Sequence, residues 1–188
     1  MSIIVENLTK KYEEQKAVND ISFKIETGEV VGFLGPNGAG KSTFINILSG
    51  LSNKSSGKVN VCGIDLDSDP KTIKGNIGVV PQEINIDPFF SPIEIMNIQA
   101  GMYGVNSKNN INNEILRNLD LHEKANSYSR SLSGGMKRRL MVAKAMVHNP
   151  PLLILDEPTA GVDVELRKNL WSYIRKLNKK GVTIILTT

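Results

Sequence analysis

The chain has 188 residues, with 23 Lys or Arg against 19 Asp or Glu, a formal charge of +4 at neutral pH. That length fits one full-sized domain and excludes two ordinary ones; 40% hydrophobic and 22% charged residues exclude a disordered chain. A single cysteine, Cys62, excludes an internal disulfide and a cysteine-rich zinc site and favours a reducing compartment. The small positive excess favours anionic partners in general and selects none. No apolar run approaches the roughly 20 residues needed to cross a bilayer, and Met1–Lys11 lacks the apolar core of a signal peptide.

The first third reads as strand. Ile21, Phe23 and Ile25 alternate with Ser22 and Lys24, predicting one buried face. Glu26-Thr27-Gly28-Glu29 is a turn, and Val30–Leu34 is a continuous apolar run that predicts a strand covered on both faces. A helix is expected over Lys41–Ser49, with Phe44, Ile47 and Leu48 on one side and Gly50 closing it. Ser56-Gly57 is read as a turn into a strand over Lys58–Cys62, and Ile77–Val80 as another short strand. Ser91-Pro92-Ile93-Glu94 predicts a helix start, with serine as cap, proline in the first turn and glutamate three residues on. Helical stretches follow on both sides of the Asn-rich Asn109–Asn113, the last from near Gly134 to before Asn149. Strand signals return at Leu152–Leu155. A helix opening at Asp163 places Leu166, Leu170, Ile174 and Leu177 on one face and ends at Gly181, before a buried strand over Val182–Leu186. The order predicts an α/β fold with an inserted helical subdomain.

Between the strand and the first helix stands Gly35-Pro36-Asn37-Gly38-Ala39-Gly40-Lys41-Ser42, matching G-x-x-x-x-G-K-[ST]. Glycines at 35, 38 and 40 let the backbone form a concave nest whose N–H groups point at phosphate oxygens, and the helix N-terminus adds its positive end. Lys41 is expected on the β and γ phosphates, the Ser42 hydroxyl on Mg²⁺, and Thr43 beside them. The apolar strand Leu152–Leu155 carries Asp156-Glu157 at its C-terminal edge, where open α/β sheets bind ligands. Alone, such an acidic pair is usually a solvated loop start. Beside a phosphate loop, Asp156 reads as a metal ligand and Glu157 as the group that polarises an attacking water. The two motifs together point to a nucleotide triphosphatase.

Far along the chain, Leu132-Ser133-Gly134-Gly135-Met136 opens a helix, and Ser133 with the amides of Gly134 and Gly135 forms a second candidate anion site. A lone Ser-Gly-Gly would be a plain helix cap. Here it resembles the L-S-G-G-Q signature of the ATP-binding cassette (ABC) ATPases, and the resemblance runs through nearly the whole chain in order. It implies an α/β P-loop NTPase fold with an N-terminal antiparallel subdomain and an inserted helical subdomain. Residues 1–188 are then one domain, with a nucleotide-binding core over approximately 1–82 and 150–188 and the helical subdomain over approximately 83–149. It also implies that Tyr12 stacks on adenine, that Gln82 contacts Mg²⁺ and senses the γ phosphate, and that Asp163 in Ala160-Gly161-Val162-Asp163 couples two sites across a dimer. The cofactors implied are ATP and Mg²⁺. The signature of one subunit closes over ATP held by a second, expected to be an identical copy, and hydrolysis reopens the pair. A multi-spanning membrane permease is the other implied partner, with the cassette on the cytoplasmic face of the membrane and no nucleic acid expected.

Two departures from the family pattern stand out. Met136 replaces the usual glutamine, and the chain stops at Thr187-Thr188, one step before the position of a histidine that contacts the γ phosphate in the family. The expectation is a C-terminally truncated cassette that binds ATP and hydrolyses it weakly. Val80-Pro81-Gln82-Glu83, Gln99–Gly104 and residues 133–140 look like the ATPases of ABC-2-type exporters. Ile84, Ile86, Phe89, Phe90 and Ile93, with Met96, Met102 and Tyr103 nearby, fit a permease-binding patch and equally the core of the helical subdomain. Lys137-Arg138-Arg139 fits a solvated helix face, or a basic cluster that draws in ATP or meets acidic residues across the dimer. The competing class is an ABC ATPase acting on nucleic acid or ribosomes, against which stand the single phosphate loop and the absence of heptads and cysteine pairs. A simple P-loop kinase or GTPase leaves the signature unexplained.

Overall fold

The computed structural model describes residues 2–106, 110–158 and 164–188, with the backbone alone at 164–166. Two compact units emerge, one of Met1–Val79, Pro150–Asp156 and Asn178–Thr188, the other of Val80–Asn149 and Glu157–Leu177.

The first unit holds two four-stranded sheets. Strands β1 (Ile3–Tyr12) and β2 (Gln15–Ile25) form an antiparallel hairpin with Tyr12 opposite Gln15. After β3 (Val30–Phe33) and helix α1 (Lys41–Leu48), strands β4 (Ser56–Val61) and β5 (Ile64–Asp65) complete the antiparallel sheet in the order β2-β1-β4-β5. Helix α2 (Pro70–Asn76) leads into β6 (Ile77–Val80), and β7 (Leu152–Asp156) and β8 (Thr183–Thr187) complete the second sheet in the order β3-β8-β7-β6. There β8 runs parallel to both β3 and β7, which buries β7 throughout.

The core of this unit draws Ile3, Leu8 and Val59 from the antiparallel sheet, Ile47 and Leu48 from α1, and Ile154 and Ile185 from the parallel sheet. Phe23, Phe33 and Phe44 meet edge-on or tilted, with ring centroids 5.1–5.5 Å apart, joining β2, β3 and α1 at the foot of the phosphate loop. Asp69 caps α2 through the Thr72 amide at 3.0 Å and hydroxyl at 2.6 Å, and these bonds hold its carboxyl below the usual aspartate range.

Two strand readings change. Val30 is 49% and Leu34 77% exposed, and among the described residues β3 lies at the end of its sheet, so the run Val30–Leu34 is not covered on both faces. Gly57 lies inside β4 rather than in a turn. Its φ is +91°, and a Cβ there would stand 2.4 Å from the Asn7 carbonyl oxygen, at a point where the β1–β4 register slips between Glu6 and Thr9. This is a bulge that only glycine fits.

The second unit is helical. It contains α3 (Pro92–Met102), α4 (Asn112–Asn118), α5 (Gly134–Ala145) and α6 (Val164–Lys179) as far as Leu177. Ser91 and Glu94 form the predicted capping box at the start of α3. Met96, Leu116, Leu119, Leu140 and Val142 are fully buried or nearly so, and Leu170, Ile174 and Leu177 share the buried stripe of α6. Among the described residues no helix is long and apolar enough to cross a membrane.

Candidate nucleotide site

In the first unit β3 ends in a loop that only its glycines allow. Gly38 and Gly40 have φ of +85° and +88°. A Cβ on Gly40 would fall 2.2 Å from the Ala17 carbonyl oxygen, so the turn into α1 is packed directly against β2. Within the loop the Ala39 amide donates to the Pro36 carbonyl at 3.1 Å. Residues 36–39 are exposed, with Gly35 and Gly40 half-buried.

Helix α1 has no side-chain cap and no acidic residue in its first turn. Its first N–H groups and the positive end of its dipole are left for an external anion. Lys41 folds over the loop, its ammonium donating to the Gly35 carbonyl. Ser42 is exposed and Thr43 half-buried on that first turn. Tyr12 is 47% exposed, its hydroxyl 3.2 Å from Ser52 Oγ and its ring 4.6 Å from the Lys10 ammonium.

Asp156 ends β7 and is buried, and the buried Thr187 of β8 donates its hydroxyl to the Asp156 carboxylate. Strand register explains the pairing, since Asp156 and Thr187 are direct partners in the parallel ladder. Sequence reasoning ended this strand at Leu186 and gave Thr187 no role; its place opposite Asp156 emerges only from the pairing of β7 with β8.

These residues fit a nucleoside triphosphate with Mg²⁺. The loop supplies main-chain N–H groups and a lysine, while Ser42 and Asp156 supply hard oxygen ligands. Among the described residues no group of three His, Cys, Asp or Glu side chains could hold a metal by itself.

The second unit holds Gln82 and Glu157, whose side chains are bonded, Gln82 Nε2 donating to Glu157 Oε2 at 2.8 Å. Glu157 has φ of +47°, a left-handed conformation that costs a non-glycine residue on the order of 1–3 kcal/mol. Arg138 sits beside the pair. It is 2% exposed and donates to the carbonyls of Pro81, Gln82, Glu157 and Pro158 at 2.6–3.1 Å.

The basic run 137–139 therefore divides. Lys137 is half-buried, whereas Arg138 and Arg139 are buried, Arg139 donating to the Leu119 carbonyl at 2.7 Å with Asp120 at 3.6 Å. For these two arginines neither a solvated face nor a cluster offered to a partner holds, because both guanidiniums are used on backbone carbonyls.

Ser133 caps α5, its hydroxyl accepting from the Met136 amide at 3.2 Å, and Ser133 and Gly134 are exposed. The helix has no acidic residue in its first turn. Ser133 is thus a helix cap, and its O–H remains able to donate to an anion. Of the apolar cluster, Met96 is core, while Ile84, Phe89, Phe90 and Met102 are 41–76% exposed. Asp163 lies outside the described residues.

Known proteins resemble this chain over most of its length. The family model for ABC transporters matches residues 18–160. Nod factor export ATP-binding protein I of Rhizobium etli is 38% identical over 184 residues, 97% of this chain and 58% of that protein. The protein of the same name from Cupriavidus pinatubonensis is 40% identical over 182 residues, 95% of this chain and 56% of that one. The chain thus spans roughly three-fifths of the length of the curated relatives it matches.

Among solved structures, the ATP-binding subunit of an ABC transporter superposes with a TM-score of 0.88 at 29% identity, over 100% of this chain and 79% of that chain. A dimeric ATP-binding cassette in a post-hydrolysis state, bound to ADP and Pi, gives 0.84 at 30% identity, over 99% and 87%. With its α/β cassette fold, its phosphate loop and a family match over most of its length, this chain belongs to the ABC transporter family.

Proposed function

We propose that the chain binds and hydrolyses ATP as the motor cassette of an exporter of the ABC-2 type. The observation that carries this reading is the phosphate loop, with glycine-only backbone at 38 and 40, an uncapped α1 behind it and Lys41 folded over it. In this reading the loop amides and Lys41 hold the β and γ phosphates, and the exposed ring of Tyr12 stacks on adenine. Ser42 and Asp156 hold Mg²⁺, with Gln82 as a further ligand, and Thr187 keeps the Asp156 carboxylate aimed. When bound, Mg²⁺ neutralises the charge that develops on the transferred phosphoryl group. Glu157 orients the attacking water, Gln82 being bonded to its carboxylate, and Asp163 links the two sites. Catalysis of this kind is positioning and electrostatics, with no covalent intermediate on the protein.

The signature supports assembly in pairs. Ser133, Gly134 and Gly135 form a helix N-terminus with no acidic residue in its first turn, which in a head-to-tail dimer covers ATP held by the second copy. One of the similar solved cassettes is itself dimeric, with ADP and Pi. The exposed apolar side chains after Gln82, including Ile84, Phe89 and Phe90, suit a membrane permease as the other partner. The relatives named as export ATP-binding proteins support the direction of transport; in this reading the cassette works on the cytoplasmic face of the membrane.

Titration calorimetry with ATP–Mg²⁺ tests the core of this reading. Binding at one site per chain in the wild type, weakened at least roughly tenfold in Lys41→Ala, is expected from the loss of a charge-assisted contact. Unchanged affinity in Lys41→Ala would remove the phosphate-loop assignment.

A further inference from the structure

We propose that Arg138 is the positioning residue of the Gln82–Glu157 pair, a reading that rests on the hydrolytic role given to that pair above. A buried guanidinium must have its N–H groups satisfied, and it offers five of them in a rigid planar fork. Arg138 spends them on the two segments that carry the pair. Its Nη1 donates to the carbonyls of Pro81 at 2.8 Å and Gln82 at 2.9 Å. Nη2 donates to the Glu157 carbonyl at 2.6 Å, and Nε to the Pro158 carbonyl at 3.1 Å.

One planar group therefore fixes the backbone of both residues whose side chains then bond each other. Glu157 needs such support in particular. Its φ of +47° persists only where the surroundings over-determine it, and two of the carbonyls that Arg138 holds are those of Glu157 itself and of Pro158 next to it. Arg138 also lies on the helix that Ser133 opens, so it ties the helix bearing the signature to the pair. A lysine at 138 would keep the charge and lose the fork.

The direct test is the side-chain amide resonance of Gln82 in the ¹⁵N–¹H spectrum of the chain without nucleotide. Gln82→Ala assigns it by its loss, and Glu157→Ala defines where it lies once released from the carboxylate. Arg138→Lys should move the resonance to that released position while the backbone amides of Leu140 and Val142 keep their shifts. Arg138→Gln, whose amide can serve two of the four carbonyls, should give an intermediate position and keeps the test open if the lysine variant does not fold. A Gln82 amide that stays at its wild-type position in either folded variant would overturn the proposal.

Hydrolysis is the second readout. Arg138→Lys should lower the single-turnover rate at saturating ATP–Mg²⁺ roughly 10- to 100-fold with little change in KM, as a misplaced catalytic group does. That loss should shrink in a Gln82→Ala background, where the pair is already broken and only the backbone of Glu157 is left for Arg138 to hold; a loss of equal size in both backgrounds would mark Arg138 as merely structural. A wild-type chain that releases no phosphate would count against the hydrolytic reading, and the resonance would still decide whether Arg138 holds the pair.

Discussion

The Ala17 carbonyl oxygen lies 2.2 Å from where a Cβ on Gly40 would stand, so β2 closes the phosphate loop from behind. Gly40→Ala is therefore expected to destabilise the fold by more than the 1–3 kcal/mol, or thereabouts, of the left-handed backbone alone. Gly38→Ala has the same kind of φ but nothing within 4 Å of the added methyl, and should cost only about 1–2 kcal/mol. Urea midpoints at constant slope read the two changes. Equal midpoints for the two variants would mean that the Ala17 contact is not tight.

Thr187→Val keeps the shape of a buried side chain and removes the hydroxyl that donates to Asp156. A hydrogen bond to a charged group is worth about 1.5–3 kcal/mol, so stability should fall by that order. The sharper readout is binding: ATP affinity should drop in the presence of Mg²⁺ and hold steady with the metal chelated. A loss of the same size with and without Mg²⁺ would place the effect on the sheet rather than on the metal ligand.

The capping box of α3 gives a pH dependence. The Ser91 amide and hydroxyl donate to Glu94 at 2.8 and 2.7 Å, and these bonds hold the Glu94 carboxyl below its ordinary 4.5. A carboxyl lowered by folding contributes stability that is complete above its ordinary value and is lost as pH falls through the lowered one. The stability gap between wild type and Glu94→Gln should therefore be constant near neutrality and shrink in acid. Ser91→Ala, which removes the cap itself, should cost about 1 kcal/mol. A gap that widened in acid would contradict the capping account.

Much of this was legible in the sequence because it is local. The phosphate loop is set by three glycines and a lysine within a few residues of strand and helix, and Ser91 and Glu94 make their own box. The strand Leu152–Leu155 announces itself as an unbroken apolar run. Arg138 was not legible. On a helix wheel it is one charge in a basic run, and only tertiary packing brings the carbonyls of 81–82 and 157–158 to its fork. Thr187 was hidden for the same reason, since its meaning depends on which strand lies beside β8. Val30 misled in the opposite direction, because an apolar strand at a sheet edge has the same composition as one in the middle.

Ser133 caps α5 with its oxygen lone pair and keeps its proton for an anion. Ser133→Arg should leave ATP–Mg²⁺ binding by a single chain unchanged within about twofold, since a change that small is under 0.5 kcal/mol. It should block closure of the pair by placing a long side chain where the second nucleotide must sit. Loss of binding by the single chain would show that the signature does not act across two copies.

The most direct measurement is sedimentation velocity on Glu157→Gln with and without ATP–Mg²⁺. Glutamine keeps the volume and removes the carboxylate that orients water, so bound ATP should persist and hold two chains together. The account predicts a dimer with ATP–Mg²⁺ that returns to monomer when ATP is replaced by ADP. A monomer at saturating ATP–Mg²⁺ would contradict the shared site.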